Sequence, residues 1–535
     1  MLKKYYTEYK IENINKIIVY ILLFVIGIVP IITYKYQTAS YSPIFGNHSF
    51  TTGIKVDIFN FFKSLILYLG TIGVFGLFIY KILSLKEEQK LNKFNVLILG
   101  LICIIALSTA FANYKDIALF GNFDRHEGAL AWTCYLFILF ILYNIKIEKK
   151  YFKLFYFALV PFLVLNTILA VVKLFGVDML QYPIVQALMG GKGDLTGQLF
   201  TTLYHYNFGS GIAAVMFSAS FMYLLLEKET KKKIILLITS VLSFAMLLGL
   251  ISNGGFITIL AMIPLIIVCG LRLTDKKNVL VWSSILLVLN AIVYFVLNSK
   301  NSVVYDESMA IFAKLNGISA LIIPAIIVLF IGLLFIMKFT NKKKFFNYVV
   351  SISLVVMVIS FGMYSYTLNK QNKEIEAGNT SIIRIEENPM FIRLNEISTD
   401  RLNIWTKTIN LINEKPILGH GFDTFPYVFL SNDDNGGLST YGEVIDKPHN
   451  WYLSIAYGSG LISLIGIIII IISIIKGAFY SCVDKVDNKY LYIFSMGSVA
   501  YAVQGMFNDS LVGTSIIFWI FAGLSLNLLK NEINE

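Results

Sequence analysis

Residues 448–476 read Pro-His-Asn-Trp-Tyr-Leu-Ser-Ile-Ala-Tyr-Gly-Ser-Gly-Leu-Ile-Ser-Leu-Ile-Gly-Ile-Ile-Ile-Ile-Ile-Ile-Ser-Ile-Ile-Lys. After a polar start at His449 and Asn450, positions 451–475 carry no charge until Lys476 closes the run. At ~1.5 Å per helical residue, such a run covers the ~30 Å of hydrocarbon in a bilayer. Similar runs fall at about 16–34, 57–80, 94–111, 129–145, 154–175, 208–226, 234–251, 256–271, 279–297, 318–337, 347–367, 490–507 and 511–529. With 451–475 they predict an all-α polytopic membrane protein of about 14 transmembrane helices.

Composition agrees with this class. The chain is 57 % hydrophobic, with a mean hydropathy of +0.71, far above soluble globular proteins. Helices are expected because lipid offers unpaired backbone groups no partner, and the ~10-residue alternation of barrel strands is absent. The four cysteines (Cys103, Cys134, Cys269 and Cys482) show no CxxC spacing, so neither a disulfide framework nor a zinc site is indicated. The basic flank and apolar run from Ile17 lack a following small-residue cleavage signal and read as a first span.

The net charge of +11 sets orientation and need not imply nucleic acid. Twenty-seven of the 44 lysines and arginines fall in alternate short connections, among them Lys81, Lys86, Lys90 and Lys93, and Lys338 with Lys342 to Lys344. By the positive-inside rule these connections are cytoplasmic, as are both termini. The chain then divides into an N-terminal bundle (1–367, about 11 helices), an extracytoplasmic loop (368–450) and about three C-terminal helices (451–535) that complete the membrane domain. Within the loop, 400–413 has the period of an amphipathic helix, with Leu402, Trp405, Ile409 and Ile412 on one face.

Chemistry-bearing residues collect in the outward connections. Apart from Lys16 and Asp57 at the first positions of their spans, only Lys63 and Lys173 are charged inside them, and both lie near enough to an end to snorkel. A lipid-linked oligosaccharide flippase or another transporter, the rival class, should show water-facing charges in its spans and internal pseudo-symmetry. His449, at the outer start of a span, can accept a proton near neutral pH; taken singly it reads first as an interfacial histidine that caps a helix or bonds a carbonyl. Arg401 presents a fork that matches phosphate oxygens, or, taken singly, a solvated helix arginine. Arg125 and Lys115 add positive charge on the same side. Trp405 and Trp451 read as interface anchors, and Gly419 and Gly421 as a turn.

The arrangement is more specific than its parts. Arg401-x3-Trp405, Pro416-Ile-Leu-Gly419-x-Gly421-x3-Phe425 and His449-Asn450-x9-Gly460 together resemble the signature of the O-antigen ligase and polymerase family, integral-membrane glycosyltransferases of the GT-C kind. Gly121-x3-Arg125-x2-Gly128 and Thr202-x4-Asn207 resemble its shorter outer-loop motifs. The family pattern commonly has Ser-Arg-Gly where this chain has Ser252-Asn253-Gly254, and glycine or threonine where it has Ser463. The missing arginine leaves Arg125 and Arg393 as candidates for a second phosphate clamp. The resemblance implies transfer of a glycan from an undecaprenyl-diphosphate carrier to an acceptor hydroxyl, outside the bacterial cytoplasmic (inner) membrane, with no metal and no cofactor. His449 and Arg401 would be catalytic. Arg125, Asn450, Trp405, Lys115, His205, Asn207 and Arg393 would bind substrate. The partners implied are the polyprenyl-diphosphate-linked oligosaccharide, a glycan or lipid acceptor and membrane lipid; polymerase is slightly favoured over ligase.

Overall fold

The computed structural model describes residues 2–42, 52–87, 92–191, 199–299, 401–432 and 445–534. In chain order these form α1 (Leu2–Ile28), the strands β1 (Tyr36–Ser40) and β2 (Gly53–Asp57), and the helices α2 (Phe61–Ser84), α3 (Lys93–Ala110), α4 (Lys115–Phe120) and α5 (Ala129–Asn144). There follow α6 (Lys149–Phe157), α7 (Val160–Leu174), α8 (Pro183–Leu188), α9 (Tyr206–Leu226), α10 (Thr230–Leu250), α11 (Asn253–Leu273) and α12 (Lys276–Ser299). The last five are α13 (Arg401–Glu414), α14 (Phe425–Asn432), α15 (Trp451–Asp484), α16 (Lys489–Gln504) and α17 (Val512–Asn534).

Among the described residues, ten helices are long and apolar enough to cross a membrane, with 149–174 counted as one. The chain is a multi-pass membrane protein. The expected spans at 129–145 and 490–507 are helices of only 16 residues, α5 and α16. Those at 318–337 and 347–367 lie outside the described residues. The all-α expectation needs one correction: β1 and β2 pair antiparallel, Tyr36 opposite Asp57 and Ser40 opposite Gly53.

Two helices form the axis of the bundle. The apolar window of α9 is 94 % buried and that of α17 fully buried. In α9 this follows from small residues such as Gly209, Gly211, Ala213, Ala214 and Ala219, which let neighbouring backbones approach where lipid supplies no hydrophobic drive between helices. A Cβ on Gly211 would stand 2.4 Å from Oε1 of Gln504 on α16.

Two sequence expectations are corrected by this packing. Lys63 does not snorkel: it is fully buried, and its ammonium donates to the carbonyls of Ile32 (2.7 Å), Phe59 (2.5 Å) and Thr202 (2.8 Å). A buried ammonium must find acceptors, and these come from the ends of three segments. Lys173, by contrast, reaches past the end of its helix to pair with Asp178 at 2.7 Å. Trp451 is not an interface anchor but 1 % exposed, stacked 6.4 Å from Trp132, which in turn stacks 4.5 Å from Phe422.

Candidate functional site

The connections after α1, α3, α7, α10 and α16 gather at one end of the bundle, with the segments leading into α9, α15 and α17. The glycine turn at 416–421 organises them. Inside α15, Ser459 and Gly460 leave helical geometry, Gly460 with φ +83°, and a break within a span strands backbone donors and acceptors that lipid cannot satisfy. The turn supplies them. His420 N–H donates to Tyr457 O (2.8 Å), Gly421 N–H to Gly458 O (2.9 Å), and Leu461 N–H to Pro416 O (2.8 Å). The contact is so close that a Cβ on Gly460 would lie 1.9 Å from Ile417 O, and one on Gly419 2.4 Å from Tyr457 O. The family-like glycines are therefore more than a turn: they mate a loop to a broken helix. Ser108 of α3 adds a hydroxyl bond to Gly458 O at 2.7 Å.

The same junction carries α13. Its buried face is formed by Ile404, Thr408, Leu411 and Ile412, which pack with Phe425, Val428, Ile445, Ala456 and Tyr457 in a satellite core. The expected face was partly misplaced: Ile409 and Ile412 are buried, but Leu402 and Trp405 lie at its margin. Trp405 donates its indole N–H to Pro448 O at 2.9 Å. One helical turn after Arg401, that bond ties the arginine's helix to the residue preceding His449.

His449 adopts φ +54°, a left-handed geometry costing a non-glycine residue roughly 1–2 kcal/mol. Asp509, from the connection between α16 and α17, holds it there. The carboxylate accepts His449 N–H at 2.9 Å, Asn450 N–H at 3.2 Å and the Ser454 hydroxyl at 2.6 Å, and lies 3.3 Å from His449 Nδ1. Burial alone would raise Asp509, but the His449 imidazole, the Lys447 charge and Ser454 outweigh it and hold the carboxyl well below the usual carboxylate range. A carboxylate on Nδ1 assigns the proton to that nitrogen and leaves Nε2 as the acceptor. The His449 side chain is 40 % exposed and Asp509's 1 %. Asn450 caps α15: its side-chain carbonyl accepts from Tyr452 N–H (3.0 Å) and Leu453 N–H (3.1 Å), and its amide N–H₂ donates to Met506 O (3.1 Å).

Opposite stands the 121–128 loop. Gly121 (φ +89°) and Gly128 close it on itself, since a Cβ on Gly128 would meet Gly121 N at 2.4 Å. Asp423 stabilises it by accepting from the N–H groups of Asn122 (3.2 Å) and Glu127 (2.9 Å). Arg125 is 6 % exposed. One guanidinium nitrogen pairs with Asp446, the carbon lies over the rings of Tyr204 (5.8 Å) and Phe208 (5.7 Å), and Nε and Nη1 have no acceptor among the described residues. Behind it Lys447 reaches Asp423 (3.3 Å) and Glu127 (3.5 Å). Glu127 also accepts from Tyr135 (3.1 Å), Ser510 (2.8 Å) and Ser515 (2.7 Å); burial pushes its carboxyl up.

His205 lies between these groups. Its pKa is pushed down to about 3, by burial first and then by the charges of His449, Arg125 and Arg401, which places all four residues in one neighbourhood. His205 Nδ1 accepts from Asn207 N–H at 3.3 Å. Asn207 joins further segments, its side-chain oxygen accepting from Ser252 (2.7 Å) and its carbonyl from the amide of Asn508 (3.2 Å). Asn253, where the arginine is missing, opens α11 directly after Ser252.

Of the expected site residues, Arg401, His449, Arg125 and His205 are thus brought together, with Trp405, Asn450 and Asn207 supporting them. Lys115, exposed at the start of α4, makes no described contact with this group. Arg393 lies outside the described residues. Sequence reasoning missed Asp509, Glu127, Asp423 and Lys447. For Asp509 there was a signal: it is the only charged residue between Lys489 and Lys530. Backbone strain marks the same end, where five of the seven described non-glycine residues with positive φ lie (His126, Tyr204, Ile251, Asp423 and His449); such strain concentrates at functional sites.

Comparison with known proteins bears on this region. A family model described as O-antigen ligase matches residues 308–468, a stretch containing Arg401, the glycine turn, His449 and Gly460. A putative polysaccharide ligase of Rickettsia typhi (strain ATCC VR-144 / Wilmington) is 27 % identical over 206 residues, 37 % of this chain and 44 % of that protein. One from Rickettsia prowazekii (strain Madrid E) is 25 % identical over the same length and shares. The chain therefore spans less than half the length of these curated relatives. Taken with the motifs that meet at the broken helix, these matches make the chain similar, over this stretch, to the O-antigen ligase/polymerase family.

Proposed function

We propose that this protein is a membrane glycosyltransferase that moves an oligosaccharide from an undecaprenyl-diphosphate carrier to an acceptor hydroxyl. In this reading the 368–450 loop and the gathered connections face outward from the cytoplasmic membrane, and both termini are cytoplasmic. The acceptor oxygen attacks the anomeric carbon while its proton passes to His449 Nε2, a role typically worth about 10²–10⁴ in rate. Asp509 holds the imidazole in the accepting tautomer and balances the imidazolium that forms. The anomeric C–O bond breaks and its electron pair leaves on the diphosphate, where Arg401 and the two open donors of Arg125 stabilise the growing charge. Single displacement inverts the anomeric centre. The observation that carries the reading is the buried Asp509 carboxylate on Nδ1 of half-exposed His449, at the end of the bundle that also holds Arg401 and Arg125.

The test is transfer in nanodiscs from a polyprenyl-diphosphate-linked glycan. His449→Ala and Arg401→Ala should each abolish product while the protein stays in the membrane, and Arg401→Lys should restore only part, because lysine lacks the fork. Near-normal product from both alanine variants would overturn the assignment. We favour polymerase over ligase; in a deletion strain, single repeats on the surface mark a polymerase and carrier-bound long chains a ligase.

A further inference from the structure

The run 201–207 contains a residue that the transfer chemistry does not use. Tyr204 has φ +72°, a conformation bulky residues avoid, yet the residue stays 37 % exposed. The ring packs edge-to-face with Phe59 at 5.5 Å and lies beside the Arg125 guanidinium, whose Nε and Nη1 are buried without acceptors among the described residues. Next to it, His205 commits Nδ1 to Asn207 N–H. The proton is therefore on Nε2, which has no partner among the described residues. We propose that Tyr204 and His205 form the recognition subsite for the sugar ring bonded directly to the carrier diphosphate. The inference rests on the transfer reading above and adds to it where the first sugar sits.

The chemistry fits a pyranose. A partly exposed aromatic ring packs against the apolar C–H face of a sugar, and an uncharged imidazole N–H donates to a hydroxyl, which is how glycan sites combine apolar contact with a few fixed polar groups. His205 remains neutral at working pH because burial first, and then the neighbouring Arg125 and Arg401, disfavour its protonation. Arg125 beside Tyr204 sets the order along the substrate, phosphate at the guanidinium and ring at the tyrosine.

The experiment measures binding of two lipids to the full chain in nanodiscs: bare undecaprenyl diphosphate, and undecaprenyl diphosphate carrying one N-acetylhexosamine. Wild type should bind the glycosylated lipid more tightly. Tyr204→Gly removes the ring and takes φ +72° without strain, so misfolding does not confound it; it should weaken the glycosylated lipid roughly five- to tenfold and leave the bare lipid within about twofold. Tyr204→Phe should match wild type. His205→Gln, which keeps a neutral donor, should bind the glycosylated lipid better than His205→Phe. Equal losses on both lipids in Tyr204→Gly, or no preference for the glycosylated lipid in wild type, would overturn the subsite alone. Failure of wild type to bind either lipid would overturn the transfer reading as well.

Discussion

Gly460→Ala tests the mating of the glycine turn with the broken helix. The new Cβ would lie 1.9 Å from Ile417 O, 2.3 Å from Ile417 C and 2.9 Å from Leu418 N. Since carbon contacts below 3.0 Å are essentially never tolerated, the turn must retreat by more than about 1 Å, and backbone cannot yield as a side chain can. The left-handed φ adds roughly 1–2 kcal/mol for alanine. Retreat breaks or stretches the three bonds from Leu461, His420 and Gly421, each worth about 1 kcal/mol. The sum is about 3–5 kcal/mol, a large part of the 5–15 kcal/mol typical of whole domains. Equilibrium unfolding of purified protein in mixed micelles reads this directly. Gly76→Ala and Gly100→Ala are the controls, because a Cβ at either position meets nothing within 4 Å. If Gly460→Ala unfolds within 1 kcal/mol of those controls, the close fit of turn and helix is wrong. Transfer activity should fall with stability, since the turn also positions α13 and hence Arg401.

Further outcomes follow from the charged network. Asp509→Asn should lower kcat by about 10²–10⁴ with little change in KM, as loss of the group that orients a catalytic histidine does; a purely structural Asp509 would reduce the amount of folded protein instead. Because Asp509's folded pKa is depressed, its stability contribution is present above the unfolded value near 3.9 and is lost only as pH falls through the lower folded value. The gap in unfolding free energy between wild type and Asp509→Asn should therefore stay constant from pH 7 to 5; a gap that closes over that range refutes the assignment. Lys447→Met leaves Glu127 and Asp423 buried without their cation and should cost about 3–5 kcal/mol, with Glu127→Gln in the same chain restoring part of it by the same unfolding assay. His205 has the opposite titration to a surface imidazole: its stabilising neutrality is complete above about 6.5 and lost toward about 3, so its ¹⁵N ring shifts should not move between pH 7.5 and 5.

The span pattern was readable because bilayer thickness imposes it residue by residue, and twelve of the fourteen expected spans meet a described helix. Arg401, Trp405 and His449 were readable because their spacing resembles a family pattern. The carboxylates were not, for a physical reason: Glu127, Asp423 and Asp509 sit in polar connections, where an acidic residue ordinarily means a solvated surface. Only folding shows that these connections turn inward and desolvate them. Lys63 was misread in the same way, because the three carbonyls that hold it come from positions 32, 59 and 202, and no local window contains all three. The face of α13 slipped because its partner is the outer segment of α15, whose direction depends on the break at Gly460.

The pairing of His449 with Asp509 also bears on how the protein is made. During synthesis the imidazole emerges about 60 residues ahead of the carboxylate that fixes it, and Ser510 and Ser515, which bind Glu127, emerge later still. Until the helix at Val512–Asn534 has entered the membrane, Glu127 lacks the Ser515 hydroxyl bond that it makes in the folded chain. A chain inserted only as far as α15 therefore holds His449 without the carboxylate that braces it in the folded protein.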